Sequence, residues 1–133
     1  MMIIISFLFI SSCKKGTGTL NITGQWIWTI QYANNPSYNS TPQSTGIQET
    51  LSFGTNGTYN ATQNNIIVNE GTYRTALAKS TTGSKVSSVL YSNSRVIDSV
   101  AYYLTSNNDD SLVFSYDLIG TVGSGSRHYG KQK

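Results

Sequence analysis

Hydrophobic and polar residues alternate along residues 24–32, the stretch that contains both tryptophans of the chain. Successive side chains of an extended strand point to opposite faces, so one face of this stretch is large and apolar and the other is mostly polar. The apolar face carries Trp26, Trp28, Ile30 and Tyr32. The pattern predicts a first strand in the wall of a barrel or sandwich, with its aromatic side chains turned inward.

The alternation recurs along the rest of the chain. Glu49, Leu51 and Phe53 share one face of a second strand, which makes Glu49 a candidate for a buried acid. Residues 54–57 contain Gly and Asn and predict a turn into a third strand that includes Tyr59. Strand-like runs then follow about every 10 to 15 residues. We count eight strands and predict an all-β fold, an antiparallel up-and-down barrel or a half-open barrel.

A long connection separates the first two strands. Residues 33–46 contain both prolines, Pro36 and Pro42, and show no periodicity. Proline donates no N–H group to a strand ladder, and loops longer than about 12 residues are uncommon within compact domains and often functional. This loop is therefore a candidate interaction surface.

Composition supports the fold class and excludes some partners. The chain has 133 residues, enough for one domain with one core, and only 11% of them are charged, against about 25% in ordinary globular domains. The net charge of +3 comes from nine basic and six acidic residues that are spread along the chain. Without a basic cluster or a recognition motif, the sequence predicts no nucleic-acid binding.

Residues that usually carry catalysis or metal binding are scarce. His128 is the only histidine, and no nucleophile motif with the required spacing accompanies it. Asp109 and Asp110 lie in a polar turn that lacks the ligand alternation and central glycine of a calcium loop. We therefore predict a protein that is not an enzyme and that has no cofactor and no metal site.

The first twelve residues predict an export signal. They carry no charge, and residues 3–10 form a compact apolar run that ends shortly before Cys13, the only cysteine. This run is too short to cross a bilayer of about 30 Å as a helix, but it matches the core of a signal peptide. The alternative interpretation is a short buried strand that ends in an ordinary core cysteine.

The residues around this cysteine carry a resemblance. Ile10-Ser11-Ser12-Cys13 resembles a bacterial lipobox, at which the chain is cut before a lipid-modified cysteine. The resemblance implies that residues 1–12 are removed and that Cys13 carries the lipid. An Asp after the cysteine is associated with retention in the inner membrane, so Lys14 implies the outer membrane of a Gram-negative bacterium, on its periplasmic or surface side.

Four short motifs follow the cysteine in order. They are Gly24-Gln25-Trp26, Leu51-Ser52-Phe53, Gly57-Thr58-Tyr59 and Glu70-Gly71-Thr72-Tyr73. This order resembles the small lipocalin-like lipoproteins of Gram-negative bacteria, members of the calycin group of barrels. The resemblance covers residues 22–131 and implies a lipocalin-like domain of residues 22–133, joined to the membrane by a flexible linker at residues 13–21.

The resemblance also implies a structural contact. In that family a tryptophan of the first strand lies at the closed end of the barrel, and a basic residue near the end of the last strand stacks over it. Trp26 would be this tryptophan, and Arg127 or Lys131 would be its partner. Such a cation–π contact stabilises the barrel by about 1 to 2 kcal/mol and takes no part in chemistry.

The inward aromatic residues provide the functional hypothesis. Eight strands leave room for side chains or one small ligand, so an aromatic interior would suit one small apolar or amphipathic molecule. The predicted lining is Trp28, Tyr32, Tyr59, Tyr73 and Tyr102. One alternative is that these side chains only fill the core. Another is a protein-interaction or inhibitor-like module that acts through residues 33–46. In each case we expect a monomer held at the cell envelope by its lipid.

Overall fold

The alternating segments form eight antiparallel strands that close into one barrel, in the order β1 to β8. The computed structural model describes residues 19–92, 97–105, 110–116 and 125–133. The strands are β1 Gly24–Ala33, β2 Glu49–Phe53, β3 Thr58–Gln63, β4 Ile66–Lys79, β5 Lys85–Ser92, β6 Ile97–Thr105, β7 Ser111–Ser115 and β8 Gly125–Lys131. The predicted all-β, up-and-down barrel is confirmed, and it is closed because β1 pairs with β8. Cys13, the signal segment and Asp109 lie outside the described residues.

Turn chemistry brings the first strands into register. Gly57 adopts φ +80° in the turn between β2 and β3, a conformation that glycine reaches without a steric penalty. Asn64 and Asn65 adopt φ 49° and 66° between β3 and β4, and asparagine tolerates this left-handed region better than most residues. Both connections are hairpins, which fixes β2, β3 and β4 as sequential neighbours.

The strand β1 contains a register shift. Trp28 lies opposite Tyr129 of β8, but Ile30 lies opposite His128, so one extra residue of β1 is accommodated between them. Beyond such a bulge the alternation of inward and outward side chains changes phase. Tyr32 is consequently 44% exposed, on the outside of the barrel. The prediction that Tyr32 faces inward is wrong for this reason.

Large apolar side chains fill the interior. The buried cluster contains Ile22, Trp26, Trp28, Leu51, Phe53, Tyr59, Val89, Val100, Tyr102, Leu112, Phe114 and Tyr129. The partly buried Tyr91 and Tyr73 pack against this cluster: the ring centroids of Tyr59 and Tyr91 are 4.8 Å apart, and those of Phe53 and Tyr73 are 4.9 Å apart in an edge-to-face contact. Packing of this kind stabilises the fold through buried area and ring geometry.

One end of the barrel is covered by residues 19–22, and we call it the N-terminal end. Ile22 is only 1% exposed, and its carbonyl accepts a hydrogen bond of 2.7 Å from Trp26 Nε1. The Tyr102 hydroxyl donates to the carbonyl of Leu20, and the Thr19 and Thr75 hydroxyls are 3.1 Å apart. The described part of the predicted linker, residues 19–21, is therefore held against the barrel.

The connection between β1 and β2 lies at the opposite end, which we call the loop end. It is ordered: a single 3₁₀ turn at Pro36–Tyr38 precedes a short helix, α1 at Pro42–Thr45. Thr41 and Ser44 cap α1 reciprocally, and Ser40 pairs with Gln31 of β1. No helix in the described part of the chain has the length and apolar character needed to cross a membrane.

The contact between Tyr102 and residues 19–22 predicts an alkaline loss of stability. Burial raises the pKa of Tyr102 to about 12, although hydrogen bonds with Ser87 and Thr75 lower it. The unfolded chain therefore releases this proton first, near pH 10, so the contribution is complete below about pH 10 and is lost toward pH 12. We expect Tyr102→Phe to lower the free energy of unfolding by about 1 kcal/mol at pH 7 and to flatten its decline above pH 10.

Urea denaturation at pH 7, 9 and 11 measures both effects. Tyr103→Phe is the matched control, because Tyr103 is the next residue of β6 and is 40% exposed. This substitution should leave the pH dependence of stability unchanged. An equally steep alkaline decline in Tyr102→Phe and in the wild type would contradict the assignment.

Candidate binding site at the loop end of the barrel

Four polar side chains meet inside the loop end of the barrel. Glu49 is the first residue of β2, Gln63 is the last residue of β3, and Arg127 and Tyr129 lie on β8. The hairpin places Glu49 opposite Gln63, and closure through β1 brings β8 to the other side of the same carboxylate. We call these four residues the polar cluster.

The Glu49 carboxylate is the centre of the polar cluster. Glu49 is 7% exposed, and its Oε2 accepts hydrogen bonds from Arg127 Nη2 at 3.0 Å and from Gln63 Nε2 at 3.3 Å. Its Oε1 accepts a hydrogen bond from the Tyr129 hydroxyl at 2.5 Å. Three donors thus compensate a charge that burial would otherwise make unfavourable.

Tyr129 stays protonated in this arrangement. Burial raises the pKa of Tyr129 well above its usual range, and the negative charge of Glu49 raises it further, while the positive charge of Arg127 lowers it. A protonated phenol is a hydrogen-bond donor, so the geometry around Glu49 is maintained at neutral pH. The polar cluster therefore carries one negative and one positive charge.

Arg127 also contacts Trp28. Its guanidinium carbon lies 4.6 Å from the centre of the Trp28 ring, within the range of a cation–π contact. Two nitrogen atoms of this pair, Trp28 Nε1 and Arg127 Nε, are buried and have no hydrogen-bond partner among the residues that the structure describes. Buried N–H groups in proteins nearly always have a hydrogen-bond partner, so these two donors are unusual.

The other basic residue suggested by the family resemblance lies elsewhere. Lys131 Nζ lies 5.3 Å from the centre of the Trp26 ring, near the N-terminal end. The structure therefore places Lys131 over Trp26 and Arg127 over Trp28. Sequence reasoning singled out Glu49 as a potential buried acid but missed its ion pair with Arg127, because the two residues are 78 positions apart in the chain.

The five residues predicted to line a ligand site do not form one site. Trp28 adjoins the polar cluster, whereas Tyr59 and Tyr73 belong to the aromatic packing around Phe53. Tyr102 holds the segment at the N-terminal end, and Tyr32 is on the outside, with its ring edge-on to His128 at 5.0 Å. Among the described residues, Trp28 is the member of the predicted set that contacts the polar cluster, through Arg127.

His128 faces away from the polar cluster. Its Nε2 lies 2.9 Å from the Ser126 hydroxyl, and partial burial lowers its pKa. Residues two apart on one strand share a face, so this contact follows from strand geometry. Within the described ranges, no group of three or more His, Cys, Asp or Glu residues could hold a metal ion.

Three of the surface hollows are lined by described residues. One of about 500 Å³ lies on the outer face of β1, β2 and β3 and is lined mainly by uncharged amide and hydroxyl side chains. The others, of about 290 and 250 Å³, border Tyr73 from the β5 side and from the N-terminal segment. Neither Trp28 nor Arg127 lines any of these three hollows.

No protein-family model, curated protein or solved structure matches this chain. The fold defines the class: the protein is a closed, eight-stranded antiparallel β-barrel. This architecture is consistent with the lipocalin-like fold that the sequence motifs suggested.

The ion pair predicts an asymmetric response to mutation. Arg127→Met leaves the Glu49 carboxylate buried without its cation, which should lower the free energy of unfolding by about 3 kcal/mol. This value is at the lower end of the range for a broken buried ion pair, because the Arg127 side chain is 22% exposed. In Glu49→Gln/Arg127→Met the charge is gone and an acceptor for Tyr129 remains, so we expect most of this loss to be recovered.

Chemical denaturation of both variants and the wild type tests this expectation. Lys131→Met is the matched control, since it removes an exposed lysine and a cation–π contact and should lower stability by about 1 kcal/mol or less. A double variant less stable than Arg127→Met alone would refute the account of the pair.

Proposed function

We propose that this chain is a lipid-anchored barrel protein of the cell envelope that binds one small amphipathic molecule at the loop end of the barrel. The observation that carries the proposal is the buried polar cluster around Glu49, in a barrel whose other buried side chains are largely apolar. Ligand sites commonly combine an apolar lining with a few placed polar groups. The protein acts as a monomer and performs no catalysis.

The layering of the interior supports an amphipathic ligand. Glu49 lies opposite Gln63, Leu51 lies opposite Ala61, and Phe53 lies opposite Tyr59. Going from the loop end toward the N-terminal end, the inward positions of β2 and β3 therefore change from polar, through aliphatic, to aromatic. A molecule with a polar head and an apolar body matches this order, and the small interior of an eight-stranded barrel limits it to a small molecule.

The position of the N-terminal segment supports an orientation on the membrane. Thr19 is bonded to the barrel through Thr75, and Cys13 precedes it by six residues, a span of at most about 20 Å. A lipid on Cys13 would hold the N-terminal end close to the outer membrane. The loop end, with the polar cluster, then faces away from the bilayer and toward a ligand in solution.

The second candidate function is a protein-interaction module that acts through residues 33–46. The observation that favours it is the order of this loop: capping and the Gln31–Ser40 pair fix its backbone, while Tyr38 is 74% exposed at its surface. An exposed tyrosine on a rigid loop is typical of a binding anchor.

Native mass spectrometry of the chain purified from its host membranes distinguishes the two functions. We expect an adduct of small-molecule mass that is lost on denaturation and is retained in Tyr38→Ala. A bound protein that disappears in Tyr38→Ala would support the interaction module instead. A chain without any adduct, in wild type and variant alike, would count against the ligand-binding function.

The lipid anchor is tested at Cys13. A thioether-linked lipid requires this cysteine, and each buried methylene of its acyl chains contributes about 0.8 kcal/mol to membrane binding. We expect Cys13→Ser to abolish incorporation of labelled palmitate and sedimentation with membranes, with an unchanged circular dichroism spectrum. Ser12→Ala, which keeps a small residue before the cysteine, is the control. A wild-type chain that takes up no label, or a Cys13→Ser chain that still sediments with membranes, would remove the assignment.

A further inference from the structure

Two buried N–H groups at the loop end have no acceptor in the part of the chain that the structure describes. Trp28 is 3% exposed, yet its Nε1 has no partner among the described residues, and the same holds for Arg127 Nε. The other tryptophan provides an internal comparison, because Trp26 Nε1 donates to the carbonyl of Ile22 at 2.7 Å. A buried donor without an acceptor is unfavourable, so a ligand oxygen that accepted these hydrogen bonds would be bound favourably.

The two groups belong to side chains in direct contact. The Arg127 guanidinium carbon is 4.6 Å from the centre of the Trp28 ring, so both donors lie within one small region. The Arg127 side chain is 22% exposed, although its Nε atom is buried. The Arg127 side chain therefore extends from this buried region to solvent, and an oxygen would reach the two donors along it.

The charge beside these donors selects the kind of acceptor. The positive charge of Arg127 is already paired with Glu49 Oε2 at 3.0 Å. A ligand carboxylate or phosphate would lie close to the Glu49 carboxylate, with no second cation from the polar cluster to compensate it. An uncharged oxygen accepts the same hydrogen bonds without this repulsion.

We infer that the loop end of the barrel recognises an uncharged hydrogen-bond acceptor, a ketone, ester or amide oxygen, through Trp28 Nε1 and Arg127 Nε. The inference rests on the proposed ligand-binding function and adds the chemistry of the ligand head. Glu49 has a second role in this site, since its charge excludes anionic ligands of the same size.

Two probes of equal chain length test the inference. Methyl butyl ketone and hexanoate each contain six carbons and dissolve in water, and they differ in the charge of the oxygen-bearing group. The full chain contains two tryptophans, so its nitrogen-15 NMR spectrum holds two indole N–H signals, which Trp28→Phe assigns. We expect methyl butyl ketone to shift the Trp28 signal in a saturable manner and to leave the Trp26 signal in place.

Three variants separate recognition from folding. Trp28→Phe keeps an aromatic ring and removes the donor, so it should weaken ketone binding by about tenfold, the effect of one hydrogen bond. Glu49→Gln removes the negative charge at nearly constant shape, so it should strengthen hexanoate binding by at least about tenfold while ketone binding persists. Tyr32→Phe, on the exposed outer face, should change neither.

The outcomes distinguish this inference from the proposed function. Hexanoate binding as tight as ketone binding in the wild type overturns the inference and leaves ligand binding at the loop end standing. An indole signal of Trp28 that exchanges with a bound water and moves with neither probe also overturns it. In that case native mass spectrometry of the same sample decides the proposed function independently.

Discussion

One buried carboxylate determines the internal order of this barrel. Glu49 accepts hydrogen bonds from Arg127, Tyr129 and Gln63, and these donors come from β3 and β8, on either side of β1 and β2. The partners on β8 are 78 and 80 residues away along the chain. The contacts therefore form only when the barrel closes, and they fix how β8 stands relative to β2.

The Glu49–Arg127 pair is better understood as a constraint than as a source of stability. Removing two charges from water is unfavourable, and apolar residues of similar volume often serve a core equally well. Once the carboxylate is inside, however, each of its donors becomes necessary. Arg127 is then held over Trp28, and the orientation of both side chains leaves two N–H groups pointing at no acceptor among the described residues. The chemistry that we propose for the loop end follows from this chain of contacts.

The two ends of the barrel differ in the hydrogen bonding of their buried tryptophan N–H groups. At the N-terminal end, two buried donors find acceptors within the chain: Trp26 Nε1 donates to the carbonyl of Ile22, and the Tyr102 hydroxyl donates to the carbonyl of Leu20. These acceptors come from residues 19–22, which are drawn into the barrel because Ile22 is apolar and becomes almost fully buried. Those two donors are thereby satisfied within the chain, whereas Trp28 Nε1 and Arg127 Nε at the loop end have no acceptor among the described residues.

The sequence by itself determined the strands and their order. Period-two alternation and Gly- and Asn-containing turns are local properties, and they suffice for eight antiparallel neighbours. The same alternation correctly indicated that Glu49 would share a buried face with Leu51 and Phe53. Only the tertiary structure decided the side chain placements that depend on strands meeting: the bulge in β1 turned Tyr32 outward, and closure placed Lys131 over Trp26 and Arg127 over Trp28. Strand partners and bulges are set by contacts between residues far apart in the chain, so they cannot be predicted from the local alternation of polar and apolar residues.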